Sequence, residues 1–284
     1  MPSTNYVYVN GQFVPEPEAT VSVFDRGFLY GDGAFETLRV YGGRIFRLDQ
    51  HLHRLIEGLR LLRITAPLGT EALADILRQL VHRNEVTDGV ARIYITRGVG
   101  EIGLTTKSVR ETTIVASAQA RSFADSPPPW RVIYAVVMLV PNAPLSSVKS
   151  ANRLPYILGK IEAEKASVDD AILLTHMHHV VEFTAANLFF VKDGALFTPS
   201  LDQGALPGIT RADVLELAKH LSLPAHENAF GPDELEKADE IFATNSLIEI
   251  VPIGEVNGKP VPQGNTVPKL RDAYRQLVHG EIRK

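Results

Sequence analysis

The chain has 284 residues, 45% hydrophobic and 22% charged, enough apolar material to bury a sizeable core in two domains. Its 29 basic and 33 acidic side chains give a net charge of −4 without a run of like charge. That balance excludes the electrostatic footprint of a nucleic-acid or anionic-membrane binder and leaves small-molecule chemistry. Zero cysteines exclude disulfides, thiolate metal sites and cysteine nucleophiles; with no basic-then-apolar leader, the chain reads as cytoplasmic.

Tyr6 to Val14 alternates and turns at Asn10-Gly11, the signature of a hairpin. A second hairpin is expected from Gly33 to Phe46 around Gly42-Gly43. Leu48, Leu52, Leu55, Leu59 and Leu62 then fall on one stripe of a helix, and another helix covers 70–83. Val90 to Thr96 and Thr112 to Ala118 read as strands. The proline run ending at Pro129 continues neither sheet nor helix, so the expected division is 1–121, a linker at 122–131, and 132–284.

Beyond it, Trp130 to Leu139 is a strand, and a helix over 154–166 follows Lys149. Strands at 171–175 and 180–183 flank a turn holding His176, His178 and His179, and strands at 188–191 and 195–198 flank Asp193-Gly194. Helices at 210–221, 233–238 and 267–279 and strands at 240–243 and 249–252 complete an α+β chain. The three histidines have no carboxylate placed beside them, so they read as exposed and no metal is expected.

Lys149 follows Pro141-Asn-Ala-Pro144, which starts no helix, and precedes a helix, so it is expected to project from a strand end or loop between the domains. An amine there suits a Schiff base if its surroundings lower its pKa, the alternative being a solvated lysine. Glu182 lies among apolar neighbours, where a buried carboxylate calls for a partner such as a protonated pyridine nitrogen; the alternative is an edge-strand acid facing water. Asn187 reads as a polar tether. Leu206-Pro-Gly-Ile-Thr-Arg211 opens into a helix whose first amides, with Thr210, suit a phosphate, or form an ordinary capped turn. Thr244-Asn-Ser246 adds short donors after a strand, and Arg54 is either a phosphate cation or a solvated helix-face arginine. Gly98-Val-Gly100-Glu-Ile-Gly103 has the spacing of a dinucleotide fingerprint but no helix after it, so it reads as a mobile loop. Arg97 at its base faces a substrate carboxylate or serves the fold.

Together these residues resemble the class IV (fold type IV) pyridoxal-phosphate aminotransferases, a family that includes branched-chain and D-amino acid aminotransferases and aminodeoxychorismate lyases. The likeness runs from Tyr8-Val-Asn-Gly11 and Phe24-Asp-Arg-Gly-Phe-Leu-Tyr-Gly-Asp-Gly33 through Lys149 to Thr244-Asn-Ser246. It implies a two-domain α+β fold, small N-terminal α/β and larger strand-rich C-terminal, in a homodimer with pyridoxal 5'-phosphate. Lys149 is then the Schiff-base lysine and proton carrier, and Glu182 the partner of the pyridine nitrogen. Arg54, Ile209, Thr210 and Ser246 are the phosphate ligands. Phe28, Tyr30, Phe35, Arg97 and Leu247 are the expected substrate walls. Many aminotransferases of the family follow the lysine with a segment ending Asn-Tyr-Leu, where this chain has Lys149-Ser-Ala-Asn-Arg-Leu154, and Phe183 stands where glycine is usual. Asn152-Arg-Leu154, Ala185-Ala-Asn-Leu-Phe189 and Leu201-Asp-Gln203 are similar to the lyase branch. Leu206-Pro-Gly-Ile-Thr-Arg211 and Ser246-Leu-Ile-Glu-Ile-Val-Pro252 are similar to the aminotransferases. The expected activity is transamination between a branched-chain L-, D-amino acid or (R)-amine donor and a 2-oxo acid. The alternatives are aminodeoxychorismate lyase and a non-catalytic cofactor-binding protein.

Overall fold

The computed structural model describes residues 5–141 and 145–283; Asn142, Ala143 and Pro144 of the stretch before Lys149 lie outside the described residues. The chain forms two compact units, Met1–Phe123 with Val148–Arg153 and Glu281–Lys284, and Ala124–Ser147 with Leu154–Gly280. Val148–Arg153, which the division at the proline run counts with the second domain, packs with the first unit because its backbone pairs with a strand there.

The first unit contains β1 (Tyr6–Val9), β2 (Gln12–Pro15), α1 (Arg26–Tyr30), β3 (Gly33–Tyr41), β4 (Arg44–Ile45), α2 (Leu48–Leu61), α3 (Thr70–Arg83), β5 (Gly89–Thr96) and β6 (Thr113–Ala120). Its six strands form an antiparallel sheet in the order β2-β1-β6-β5-β3-β4. Asn10 and Gly11 both have positive φ, 45° and 98°, as a tight hairpin turn that follows strand twist requires. Helices α2 and α3 lie on the sheet, with Leu52, Leu55 and Leu59 of the leucine stripe meeting Leu73, Leu77 and Leu80 in one core. The five-residue α1 has no apolar period to announce it; Asp25 caps it by accepting from Gly27 N at 2.7 Å, and Gly31 ends it at φ 66°.

The second unit contains β7 (Trp130–Leu139), α4 (Leu154–Lys165), β8 (Asp170–Thr175), β9 (Val180–Phe183), β10 (Asn187–Lys192), β11 (Ala195–Pro199), α5 (Ile209–His220), β12 (Ala225–Asn228), α6 (Pro232–Leu235), β13 (Glu240–Asn245), β14 (Glu249–Val256), β15 (Lys259–Pro260) and α7 (Thr266–Ile282). The main strand path is β12-β11-β10-β13-β14-β7-β8-β9, and β9 pairs back onto β10 at Glu182 and Asn187, closing a ring of strands. Helix α4 is the crossover between the parallel β7 and β8, and Gly159 lets it approach closely: a Cβ there would sit 3.0 Å from Leu173 Cδ2. Continuous burial along β8 and β9 explains their unbroken apolar runs. Phe183 is fully buried, edge-on to Trp130 at 6.4 Å, so this departure from the usual glycine fills the ring's core. The sequence reading missed β12 and β15, which are exposed and carry no alternation.

Candidate active site

In the first unit, Lys149 leaves a short extended segment stitched to the start of β3. Phe35 N donates to Lys149 O at 3.0 Å and Ala151 N to Gly33 O at 2.8 Å. The Lys149 Nζ lies 4.8 Å from the centre of the Phe35 ring, which stacks on Tyr94 at 5.0 Å. Phe35 pairs with Tyr94, and Thr37 with Arg92, so Arg92 and Tyr94 share that face of the sheet. Arg92 is exposed, its guanidinium carbon is 5.7 Å from the Phe35 ring centre, and it donates to Tyr94 OH. A cation and a phenol on the lysine's aromatic platform suit a carboxylate substrate.

One residue beyond Phe35, Glu36 is fully buried. Arg54 Nε and Nη2 donate to its two oxygens, each at 2.7 Å, and His51 Nδ1 lies 2.7 Å from Oε2. Burial alone would push the Glu36 acid up, but the Arg54 charge and the His51 and Arg54 hydrogen bonds outweigh it and hold it at about 2. Burial lowers the His51 pKa, with the Arg54 and Lys149 charges acting in the same direction, so its neutral ring donates to Glu36. Arg54 is thus no solvated helix-face arginine.

In the second unit, Glu182 is buried on the face of the sheet that α4 covers, beside its cross-strand partner Leu173, rather than facing water from an edge. Its carboxylate accepts from Asn187 Nδ2 at 3.0 Å, Leu206 N at 3.1 Å and Tyr156 OH at 3.2 Å. Asn187 also donates to Leu206 O at 2.8 Å, tethering the turn that opens α5. The backbone passes so close that a Cβ on Gly208 would lie 2.0 Å from Asn187 Oδ1. No side chain caps α5, whose first turn holds Ile209 and the buried Thr210. Asn187 pairs with Thr244 across β10 and β13, so both project from one face, and Ser246 follows two residues later. Thr244 Oγ1 is buried without a hydrogen-bond partner among the described residues.

The remaining candidates lie elsewhere in the two units. Arg97 is committed to the fold: it donates to both Asp32 oxygens at 2.8 and 2.9 Å and to the carbonyls of Leu62 and Arg63 at 2.8 and 2.9 Å. Tyr30 OH accepts from Gly103 N at 2.8 Å, and Arg26 donates to Gly103 O and Thr105 O, so the glycine loop is clamped rather than loose. No helix follows that loop, as its sequence implied. Phe28 is 70% exposed on α1, and Leu247 is a half-buried turn residue whose N–H donates to Asn245 Oδ1. His179 is half-buried and bonded to Gln203 Oε1 at 2.9 Å, unlike the exposed His176 and His178. Sequence reasoning missed Glu36, His51, Arg92, Tyr94 and Tyr156; only the Arg92-Ile-Tyr94 alternation on a strand signalled a shared polar face.

The sequence model of the amino-transferase class IV family matches residues 33–256. The chain belongs to the class IV aminotransferase family. A putative branched-chain-amino-acid aminotransferase of Methanocaldococcus jannaschii is 38% identical over 95% of this chain and 96% of its own. An aminodeoxychorismate lyase of Bacillus subtilis is 32% identical over 98% of this chain and 94% of its own. The solved branched-chain amino acid aminotransferase of T.th. with pyridoxamine 5'-phosphate is 28% identical, with a TM-score of 0.92 over 98% of this chain and 95% of that one. The architecture is therefore the two-domain α+β fold of fold type IV.

Class IV aminotransferases use pyridoxal 5'-phosphate. The donors present fit that group. A helix start without a side-chain cap, the unpartnered Thr244 hydroxyl and the hydroxyls of Thr210 and Ser246 suit phosphate. Glu182, a buried acceptor fixed by hydrogen bonds, suits a protonated ring nitrogen.

Proposed function

We propose that this chain moves an amino group between an amino acid and a 2-oxo acid with pyridoxal 5'-phosphate held by Lys149. Donors of the branched-chain L-, D-amino acid or (R)-amine type fall within the reading, and the 38% identity to a putative branched-chain enzyme puts leucine first in the donor panel. The observation that carries the proposal is the buried Glu182, whose oxygens are fixed by Asn187, Tyr156 and the Leu206 amide. When bound, the cofactor supplies an electron sink for the charge left on the substrate's α-carbon. Glu182 keeps a proton on the ring nitrogen. Lys149 would hold the cofactor through Nζ and, once a donor amine has taken its place, would serve as general base toward the substrate α-carbon and as general acid toward the cofactor carbon that carries the amino group. Arg54, the amides of Ile209 and Thr210, and Ser246 hold the phosphate, while Arg92 and Tyr94 take a substrate carboxylate. Phe35, beside the lysine, remains a candidate substrate wall, with Phe28, Tyr30 and Leu247 retained from the resemblance.

Borohydride reduction of the cofactor-loaded chain and peptide mapping test the attachment; label on any lysine other than Lys149 ends this reading. A second reading, aminodeoxychorismate lyase, is favoured by the lyase-like Asn152-Arg-Leu154 after the lysine and by the 32% identity over 98% of this chain. Pyruvate release from aminodeoxychorismate without amino-group transfer from leucine, D-alanine or an (R)-amine decides for it.

The assembly belongs to the same proposal. Leu154, Ile157, Leu158 and Ile161 recur at helical spacing on α4 and are all exposed. A second copy of the chain covers such a face in a homodimer. No helix among the described residues is long and apolar enough to cross a membrane, and we retain the cytoplasmic location as part of this proposal.

A further inference from the structure

Glu36 lies on β3 with its side chain fully buried, where a helix-on-sheet core would more simply take an apolar residue. What it holds accounts for its presence. The contact with Arg54 is side-on: Nε and Nη2 each reach one carboxylate oxygen at 2.7 Å, which fixes the plane of the guanidinium as well as its position. His51 lies three residues before Arg54 on α2 and meets the same carboxylate at 2.7 Å. Its neutral ring adds a donor without competing for the charge. The side chains of Glu36 and His51 are 0% and 1% exposed, whereas that of Arg54 is 12% exposed, so of the three only the arginine reaches the surface.

We infer that Glu36 and His51 are positioning residues for phosphate recognition, locking Arg54 so that the outer edge of its guanidinium, Nη1 with the second N–H of Nη2, meets the cofactor phosphate. The inference rests on the reading of Arg54 as a phosphate ligand. An arginine without such an anchor loses rotamer freedom when the phosphate binds; here that loss is taken at folding, and binding gains by it. A competing effect has the opposite sign. A second anion on Arg54 repels phosphate, so neutralising Glu36 would tighten binding if charge mattered more than orientation.

The full-length chain and its Glu36→Gln, Glu36→Asp and Arg54→Met variants are titrated with pyridoxal 5'-phosphate and, separately, with pyridoxal, which lacks the phosphate. Glu36→Gln weakens the phosphorylated ligand on the order of tenfold and leaves pyridoxal unchanged. Glu36→Asp keeps the charge but is too short to span the fork, and it shows the same selective loss to a smaller extent. Equal weakening toward both ligands, no change, or tighter binding overturns the inference. Should Glu36→Gln fail to fold, Glu36→Asp decides by the same criterion. If Arg54→Met keeps full preference for the phosphorylated ligand, the phosphate role of Arg54 falls and this inference with it. If Arg54→Met loses that preference while neither Glu36 variant does, only the positioning role falls.

Discussion

Glu182 depends on three donors that the fold brings from different places, Asn187 across the β9–β10 pairing, Tyr156 from α4 and Leu206 N from the turn before α5. Glu182→Gln keeps the shape of this arrangement but removes the negative charge opposite the ring nitrogen. The variant therefore still binds cofactor in an absorbance titration but loses on the order of 100-fold in turnover. Unimpaired steady-state rates would remove Glu182 from the mechanism. Gly208→Ala forces a Cβ to within 2.0 Å of Asn187 Oδ1, so either the turn or the Asn187 tether shifts. Overpacking of that kind costs about 1–3 kcal/mol, read as a lowered thermal midpoint together with weaker cofactor binding. Lys149 and Glu182 stood out in the sequence because each is an ionisable side chain in an apolar stretch. Glu36 did not, because a glutamate in a strand shows its burial only when α2 lays His51 and Arg54 over it. Arg97 misled because nothing local shows that Asp32 and two carbonyls consume its donors.

At the scale of elements, long periodic segments declare themselves in the sequence and short or exposed ones do not. The helix over 70–83 and the strand over 130–139 have the bounds their spacing gave, since an apolar face of ten or more residues repeats its message. The helix α6 stops at Leu235 rather than at residue 238, being a single turn whose end is fixed by hydrogen bonds rather than by pattern. The loop after β5 is held by Asp32 through Arg26 and Arg97. Asp32→Asn leaves both guanidiniums without an anion, costing roughly 2 kcal/mol, and limited proteolysis within residues 99–107 speeds up. Cleavage at the parental rate would show that the clamp is not what orders the loop. Acid acts on the same unit. Glu36 sits at about 2, below its ordinary 4.5, and His51 and Asp32 are also lowered, from 6.5 and 3.8. Each such group binds protons more readily in the unfolded chain. Their stabilisation is present above the ordinary values and is lost as pH falls from about 6.5 toward 2. The thermal midpoint should drop across that window, with a shallower fall below pH 4.5 in Glu36→Gln. A pH-independent midpoint would contradict this linkage.

For the molecule as a whole, the exposed stripe on α4 predicts assembly. Leu158→Asp with Ile161→Asp places two charges on the apolar face and should convert a dimer into a monomer by light scattering, with little change in secondary structure. Unchanged mass would move the interface elsewhere. The α+β class and the hairpins, such as those turning at Asn10-Gly11 and Asp193-Gly194, followed from the sequence alone, because alternation, helical spacing and turn chemistry act between near neighbours. Lys149, Glu182 and the turn that opens α5 were visible there as candidates, with their roles left to the proposal. Only tertiary structure decided that residues 148–153 pair with β3, that the second sheet closes into a ring, and that Arg54 is held by Glu36 and His51. The physical reason is range: these features come from contacts between residues far apart in the chain, and local sequence carries no record of which distant partner completes a buried charge.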